Sequence, residues 1–254
     1  MKKTYYFSII VVLVSCATFI FMASCRKYID DTPVVKTPDE LLCQSNITGG
    51  CFDQWQSIDD GYGLICMEPA GNYLRTLNYL TTLPSSVGGP GPLTTDSSRD
   101  SHSGTYAALL ITGTFSPQGD PLIIPGLVGT DSLDIPNATI HLGKRFTARP
   151  DSLQGWYKYV PVGGDSAMVS VLLSKYNVAA QKRDTIGLLR QIYHNTVYNY
   201  TFIDLPITYY SAATPDTLTL LICSSAGINF VDLLACKGQV GSRMWIDEIS
   251  FVMP

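Results

Sequence analysis

Residues Arg145 to Ala167 read RFTARPDSLQGWYKYVPVGGDSA. Trp156, Tyr157 and Tyr159 crowd together there, and Pro161 and Gly163-Gly164 follow at once. In an extended strand successive side chains point to opposite faces. Tyr157 and Tyr159 then go to a core, their hydroxyls reaching its rim, while Trp156 and Lys158 face outward. The adjacent rings therefore do not form one stacking surface. Trp156 is either a platform for the apolar face of a sugar ring or a side chain half-covered by an outer loop. Gly163-Gly164-Asp165, between two apolar runs, reads as a hairpin turn.

Period two continues on both sides of this stretch. Tyr106–Thr112, Ala138–Leu142, Gly155–Val160, Ala167–Leu173, Thr185–Ile192, Tyr200–Tyr210, Thr217–Cys223 and Arg243–Val252 are rich in β-branched and aromatic residues. Gly, Pro, Asn and Asp separate them, and no run shows a 3.6-residue apolar period. The pattern predicts an all-β chain, a two-sheet β-sandwich of jelly-roll type. Ser85 to Ser103 reads as a long surface loop. In the last run, RMWIDEISFV, strict alternation gives one face Trp245, Asp247, Ile249 and Phe251. That face is the more apolar, so Asp247 needs hydrogen bonds, a cation or a proton. Asp53, near the start of the domain, is a candidate partner. The two carboxylates either share a calcium ion, which favours hard oxygen ligands, or Asp247 simply accepts backbone N–H bonds.

At the N-terminus Lys2 and Lys3 precede a nearly continuous apolar run from Tyr5 to Met22, and small residues stand directly before Cys25. This is the form of a lipoprotein signal peptide over residues 1–24, with Cys25 the acylated first residue of the mature chain. A plain signal anchor is the other reading, since the run approaches the ~18 residues that span a bilayer. Acyl chains on Cys25 would attach the protein to a membrane, and residues 25–51 read as its tether, leaving 52–254 as the domain. The expected location is the outer membrane, on its periplasmic side or at the cell surface.

Without Lys2 and Lys3 the 17 basic residues become 15 against 21 acidic, a formal charge of −6. With no basic patch, nucleic acid is not expected as a partner. Five cysteines follow Cys25, none in a Cys-x-x-Cys spacing, which argues against zinc. Export permits disulfides, and Cys43 with Cys51 and Cys223 with Cys236 are the local pairs to test; the alternative is that they are small buried side chains.

Catalytic signatures are sparse. Gly164-Asp165-Ser166 has the form of a Gly-Asp-Ser esterase motif, but that family needs its serine near the N-terminus and a histidine near the C-terminus. Of the three histidines none follows His194. Gly-x-Ser-x-Gly, His-Glu-x-x-His and P-loop motifs are absent, and no spacing selects the facing carboxylates of a glycosidase. Binding signals are more numerous. Tyr193, Tyr198 and Tyr200 around His194-Asn195 make an aromatic, amide-bearing loop suited to sugars, and Tyr62, Tyr73, Asn78 and Tyr79 make another. The candidate ligand set is Trp156, Lys158, Asn195 and Tyr198.

Several of these segments together resemble a known family. They are Phe52-Asp53-Gln54-Trp55, His102-Ser103-Gly104-Thr105-Tyr106-Ala107, Leu142-Gly143-Lys144-Arg145-Phe146, Arg149 to Tyr159, Cys223-Ser224-Ser225 and Gly241 to Ile249. Over roughly Phe52 to Met253 the chain resembles the putative carbohydrate metabolism domain, PCMD, found in lipoproteins of glycan-foraging Gram-negative bacteria. That family is similar to galactose-binding-like sandwiches and carbohydrate-binding modules. The resemblance implies non-catalytic glycan binding, with poly- or oligosaccharides and the proteins of a glycan-uptake system as partners. The rival reading is a structural or adhesin-type subunit of a surface assembly without a sugar site; a glycan hydrolase or esterase is a third.

Overall fold

Why the chain folds as two layers is visible in its strands. The structure, a computed structural model, describes residues 43–59, 65–78, 93–116, 121–134, 139–229 and 235–254. Cys25, with the rest of residues 1–42, lies outside these, as do Tyr62, Tyr79 and residues 85–92 of the loop expected from Ser85 to Ser103; in the described part of that stretch Thr95–Ser98 form a strand, contrary to the loop reading. The strands are β1 (Trp55–Asp59), β2 (Ile65–Pro69), β3 (Arg75–Thr76), β4 (Thr95–Ser98), β5 (Ala107–Ile111), β6 (Gly113–Phe115), β7 (Leu122–Ile124), β8 (Leu127–Gly129) and β9 (Asp131–Asp134). They continue with β10 (Thr139–Leu142), β11 (Lys144–Arg145), β12 (Ser152–Val160), β13 (Ala167–Asn177), β14 (Lys182–Tyr193), β15 (Val197–Pro206), β16 (Thr208–Tyr209), β17 (Thr217–Cys223) and β18 (Arg243–Val252). Each of the eight runs with period two contains a strand.

Two sheets form the sandwich. One is ordered β16-β14-β13-β17-β8-β3, with β11 also on β17, and the other β15-β12-β18-β5-β4. Eight strands carry the topology. Paired antiparallel, β5 lies on β18, β8 on β17, β12 on β15 and β13 on β14. First pairs with last, second with seventh, third with sixth and fourth with fifth: a long doubled-back ribbon rolled into two layers. This is the jelly-roll order expected from the sequence.

The core lies between the layers. Tyr157, Tyr159, Val169, Val171, Leu173, Leu218, Leu220 and Ile222 are all buried in it. Tyr159 is wholly inaccessible, so alternation along β12 runs as the sequence demands. Burying each such side chain contributes about 1.5–3 kcal/mol. A smaller cluster, with Cys66, Leu77, Phe115, Ile124, Met168 and Cys223, covers part of the outer face of the first sheet.

Strand β18 departs from strict alternation, and register shifts also interrupt the β13–β14 and β12–β15 pairs. On β18, Met244 and Ile246 face the core, and so do Ile249 and Phe251. Two apolar runs of opposite parity thus join in one strand. A β-bulge joins them: Gln154 of β12 pairs with Ser250, but Trp156 pairs with Asp247, so Gly155 faces an extra residue. Glu248 takes φ +51° there, a left-handed conformation that costs a non-glycine side chain energy. Contrary to the alternation read from sequence, Trp245 and Asp247 therefore lie on the outer face, with the core side left to Ile249 and Phe251.

Residues 43–51, read from the sequence as the end of a tether, pack on the domain. Cys43 and Cys51 form a disulfide, and the loop between them binds β18 beyond the bulge. Asn46 donates to Phe251 O (2.8 Å) and accepts from Phe251 N (2.8 Å), and Ile249 N donates to Gly50 O (3.0 Å). The second pair, Cys223 with Cys236, does not bridge; both remain buried thiols. Cys223 points from β17 into the smaller apolar cluster, while Cys236 Sγ lies against the backbone of Asn229, 3.3 Å from its N. Substituting Cys51→Ser opens a loop of sequence separation 8. Chain entropy sets the expected loss at about 2–3 kcal/mol, checked by urea unfolding of the oxidised wild type against the variant.

Candidate functional site

The outer face of the β15-β12-β18-β5-β4 sheet carries the aromatic side chains that alternation turns outward. Trp156 on β12 stands opposite Phe202 on β15 and Asp247 on β18, and Lys158 stands opposite Trp245. The Trp156 and Phe202 rings are 5.3 Å apart. Tyr198, Tyr200 and Phe202 share this face along β15, with Tyr198 76% and Phe202 47% exposed. Between Tyr198 and Phe202 the β12–β15 register shifts, Tyr157 pairing with Thr201 but Tyr159 with Val197.

Residues 99–106 cross this face as a loop, held down by three carboxylates. Asp247 Oδ2 accepts the N–H groups of His102 (2.8 Å) and Ser103 (3.2 Å), and its Oδ1 accepts that of Glu248 (2.9 Å). Asp53 Oδ1 accepts the N–H groups of Thr105 (2.5 Å) and Tyr106 (3.2 Å). Gly104, at φ +56°, lies so close to the Asp53 carboxylate that a Cβ would meet it at 2.1 Å. Asp100 accepts from Lys158, and its carbonyl accepts from Tyr200 Oη at 2.6 Å. Burial pushes the Asp247 carboxyl up to about 8, against the pull of the His102 and Ser103 N–H groups. The same burial raises the Tyr200 phenol.

The loop sets His102 flat on Trp156, ring centroids 3.7 Å apart and planes 11° from parallel. His102 Nδ1 lies 3.1 Å from Glu248 Oε2. The bulge that flips the parity of β18 thus also turns Glu248 toward the stack. Indole, imidazole and carboxylate form one half-exposed group beside Phe202.

The expected site residues fare differently. Trp156 and Tyr198 lie on the aromatic face. Lys158 shares it but is only 8% exposed: it is bonded to Asp100 and lies over the rings of Tyr200 (4.8 Å) and Trp245 (4.7 Å). The loop closes over it, so it anchors that loop instead of meeting solvent. Asn195 is exposed in the β14–β15 turn. Asp53 and Asp247 do engage a common element, but through N–H donors. Among the described residues no group of three His, Cys, Asp or Glu is placed to hold a metal. Asn78 is buried, with its carboxamide bonded to the backbone of Met67, Thr94 and Thr95.

Sequence reasoning passed over His102, Glu248, Asp100 and Phe202 as site residues. A cleft of about 450 Å3 is lined by Asp53, Gln54, Trp55, Ser97 and Tyr106 among others.

Neither the protein-family models nor the curated proteins contain a match to this chain. Among solved structures it is similar to a putative glycoside hydrolase from Bacteroides thetaiotaomicron, at 18% identity and a TM-score of 0.57, over 87% of this chain and 73% of that one. It is similar also to a putative glycoside hydrolase from Bacteroides vulgatus, at 16% identity and a TM-score of 0.59, over 80% of this chain and 96% of that one. These likenesses establish a shared fold. A looser one, at 8% identity and a TM-score of 0.37 over 84% and 62% of the chains, is to carbohydrate-binding modules of the β-sandwich super family; it carries no weight.

Proposed function

We propose that the protein binds glycans without cleaving them, on the outer aromatic face of its five-stranded sheet. The observation that carries this is the row Trp156–Phe202–Tyr198: half-exposed and exposed rings on one face, edged by the polar atoms of His102 and Glu248. A pyranose has an apolar face that stacks on such rings and hydroxyls that need polar partners at the rim. Hydrolysis would need two facing carboxylates at liberty to act. Asp100 is bonded to Lys158 and Glu248 to His102, which supports binding over cleavage. A glycan array on the purified protein is expected to give neutral polysaccharide hits. Trp156→Ala and Phe202→Ala should each weaken them about tenfold. An array without hits, or turnover of any glycan, overturns the reading.

The wider setting belongs to the same proposal. Acylation of Cys25 would place the domain on the outer membrane among the proteins of a glycan-uptake system, as a PCMD lipoprotein. Metabolic labelling with an alkyne fatty acid that survives Cys25→Ser would remove the anchor. One observation favours the rival structural role: β15, 10 residues long, forms an edge of its sheet, and such an edge can accept a strand from another chain. Polymerisation of the purified protein with no glycan hit would favour that reading.

A further inference from the structure

The Gly163-Gly164-Asp165 turn does more than reverse the chain. It is a turn, with both glycines at positive φ and Asp165 N donating to Val162 O at 3.0 Å. Yet it places Ser166 beside His194, Ser166 Oγ being 2.7 Å from His194 Nδ1. The sequence offers no hint of this pairing, which follows from the register Ala167↔Tyr193 between β13 and β14. Arg190 and Ile192 stand on the same side of β14 as His194. That side is the outer one, since Val169 and Leu189 point inward. The segment Lys237-Gly238-Gln239 completes a cleft of about 510 Å3, on the opposite layer from the Trp156 face.

Two cationic side chains and one carboxylate line the cleft, a net positive balance. Arg190 and Lys237 line it, both exposed, and neither forms an ion pair among the described residues. Its carboxylate, Asp165, is occupied. Oδ1 accepts from Ser166 N (2.8 Å), and Oδ2 accepts from Ser225 Oγ (2.5 Å) and Gln239 N (2.9 Å). Asp165 thus serves as a tie between the turn and the far wall. In that wall Lys237 N donates to Gly227 O (2.9 Å), and a Cβ on Gly238 would meet Ser225 Oγ at 2.5 Å. What remains available is a guanidinium, an ammonium and the hydroxyl–imidazole pair around one space. A guanidinium fork and an ammonium both donate charge-assisted bonds to a carboxylate or sulfate.

We infer that this cleft is a subsite for an acidic sugar, a uronate or a sulfate ester, recognised by Arg190 and Lys237 with Ser166 and His194 on its hydroxyls. The sugar as carrier rests on the glycan-binding reading; the anion rests on the cleft alone. Isothermal titration of the purified protein with trigalacturonate, its methyl ester, galactose 6-sulfate, galactose and inorganic sulfate tests it. Trigalacturonate or galactose 6-sulfate should bind at least about tenfold more tightly than its neutral counterpart, and less tightly as salt rises. Arg190→Gln and Lys237→Gln should each cost the acidic ligand about tenfold and leave neutral hits on the Trp156 face intact. Equal affinity for acid and ester, or an unchanged double variant that circular dichroism shows folded, overturns the inference. Inorganic sulfate binding as tightly as the acidic sugars overturns the sugar as carrier. Acidic binding without any neutral hit would sink the aromatic face as a glycan site and leave this cleft standing; neutral hits without acidic preference would do the reverse.

Discussion

Asp247→Ala is expected to lower the stability of the fold by about 3–5 kcal/mol. The carboxylate serves the N–H groups of His102, Ser103 and Glu248, and it is itself inaccessible to solvent. Truncation leaves those donors without a partner where water does not readily reach them. It also releases the loop that holds His102 against Trp156. Asp247→Asn keeps one oxygen for the two loop donors and should cost less, about 1–2 kcal/mol. The wild type should also show a pH signature. Burial raises this carboxyl from 3.8 to about 8. Between those values the folded state holds a proton that the unfolded state has released, so stability falls as pH rises through the window. Asp216 works the other way and elsewhere: the Tyr176 N–H and Arg183 hold it down at about 2, so its contribution is lost only as pH falls below 4. Urea midpoints from pH 4 to 9 should decline in the wild type and flatten in Asp247→Ala. A flat wild-type profile would show that the three N–H groups keep Asp247 ionised throughout.

Seven of the eight jelly-roll strands were legible because each buries one face, and a half-buried strand writes its burial in alternation; the eighth run of period two, Ala138–Leu142, is β10, which pairs with β9 outside the two sheets. Tyr157 and Tyr159 against Trp156 is the clearest case. The short strands, such as β3, β8 and β11, left no trace, since two or three residues cannot show a period. The bulge was harder. RMWIDEISFV fits alternation if read from its C-terminal half, which is how Asp247 came to be placed among core residues. The signal that would have corrected it was present: Met244 and Ile246 have one parity, Ile249 and Phe251 the other, and two acidic residues stand at the join. The site itself was mostly hidden. His102 meets Asp247 across 145 positions, and Asp53 meets Thr105 across 52, distances at which local pattern says nothing. Lys158 looked like a ligand-facing cation because alternation turned it outward. Only the loop crossing above it shows that an outer face need not be exposed.

Because β12 sends neighbouring side chains to opposite faces, two substitutions three residues apart should separate stability from binding. Tyr159→Ala removes a ring that is wholly buried between the sheets and bonded through its hydroxyl to Ser224 O at 3.3 Å. The cavity and lost transfer energy should cost about 3–5 kcal/mol, and Tyr159→Phe, which keeps the ring, about 1 kcal/mol. Trp156→Ala should cost less stability, about 1–2 kcal/mol, for the lost contacts with His102 and Phe202. Its effect should fall on glycan affinity instead, whereas Tyr159→Phe leaves affinity unchanged. Chemical denaturation and affinity electrophoresis on the same three variants make the comparison. If Tyr159→Phe weakened glycan binding as much as Trp156→Ala does, the ligand would be read through the core side of β12, and the outer aromatic face would lose its claim.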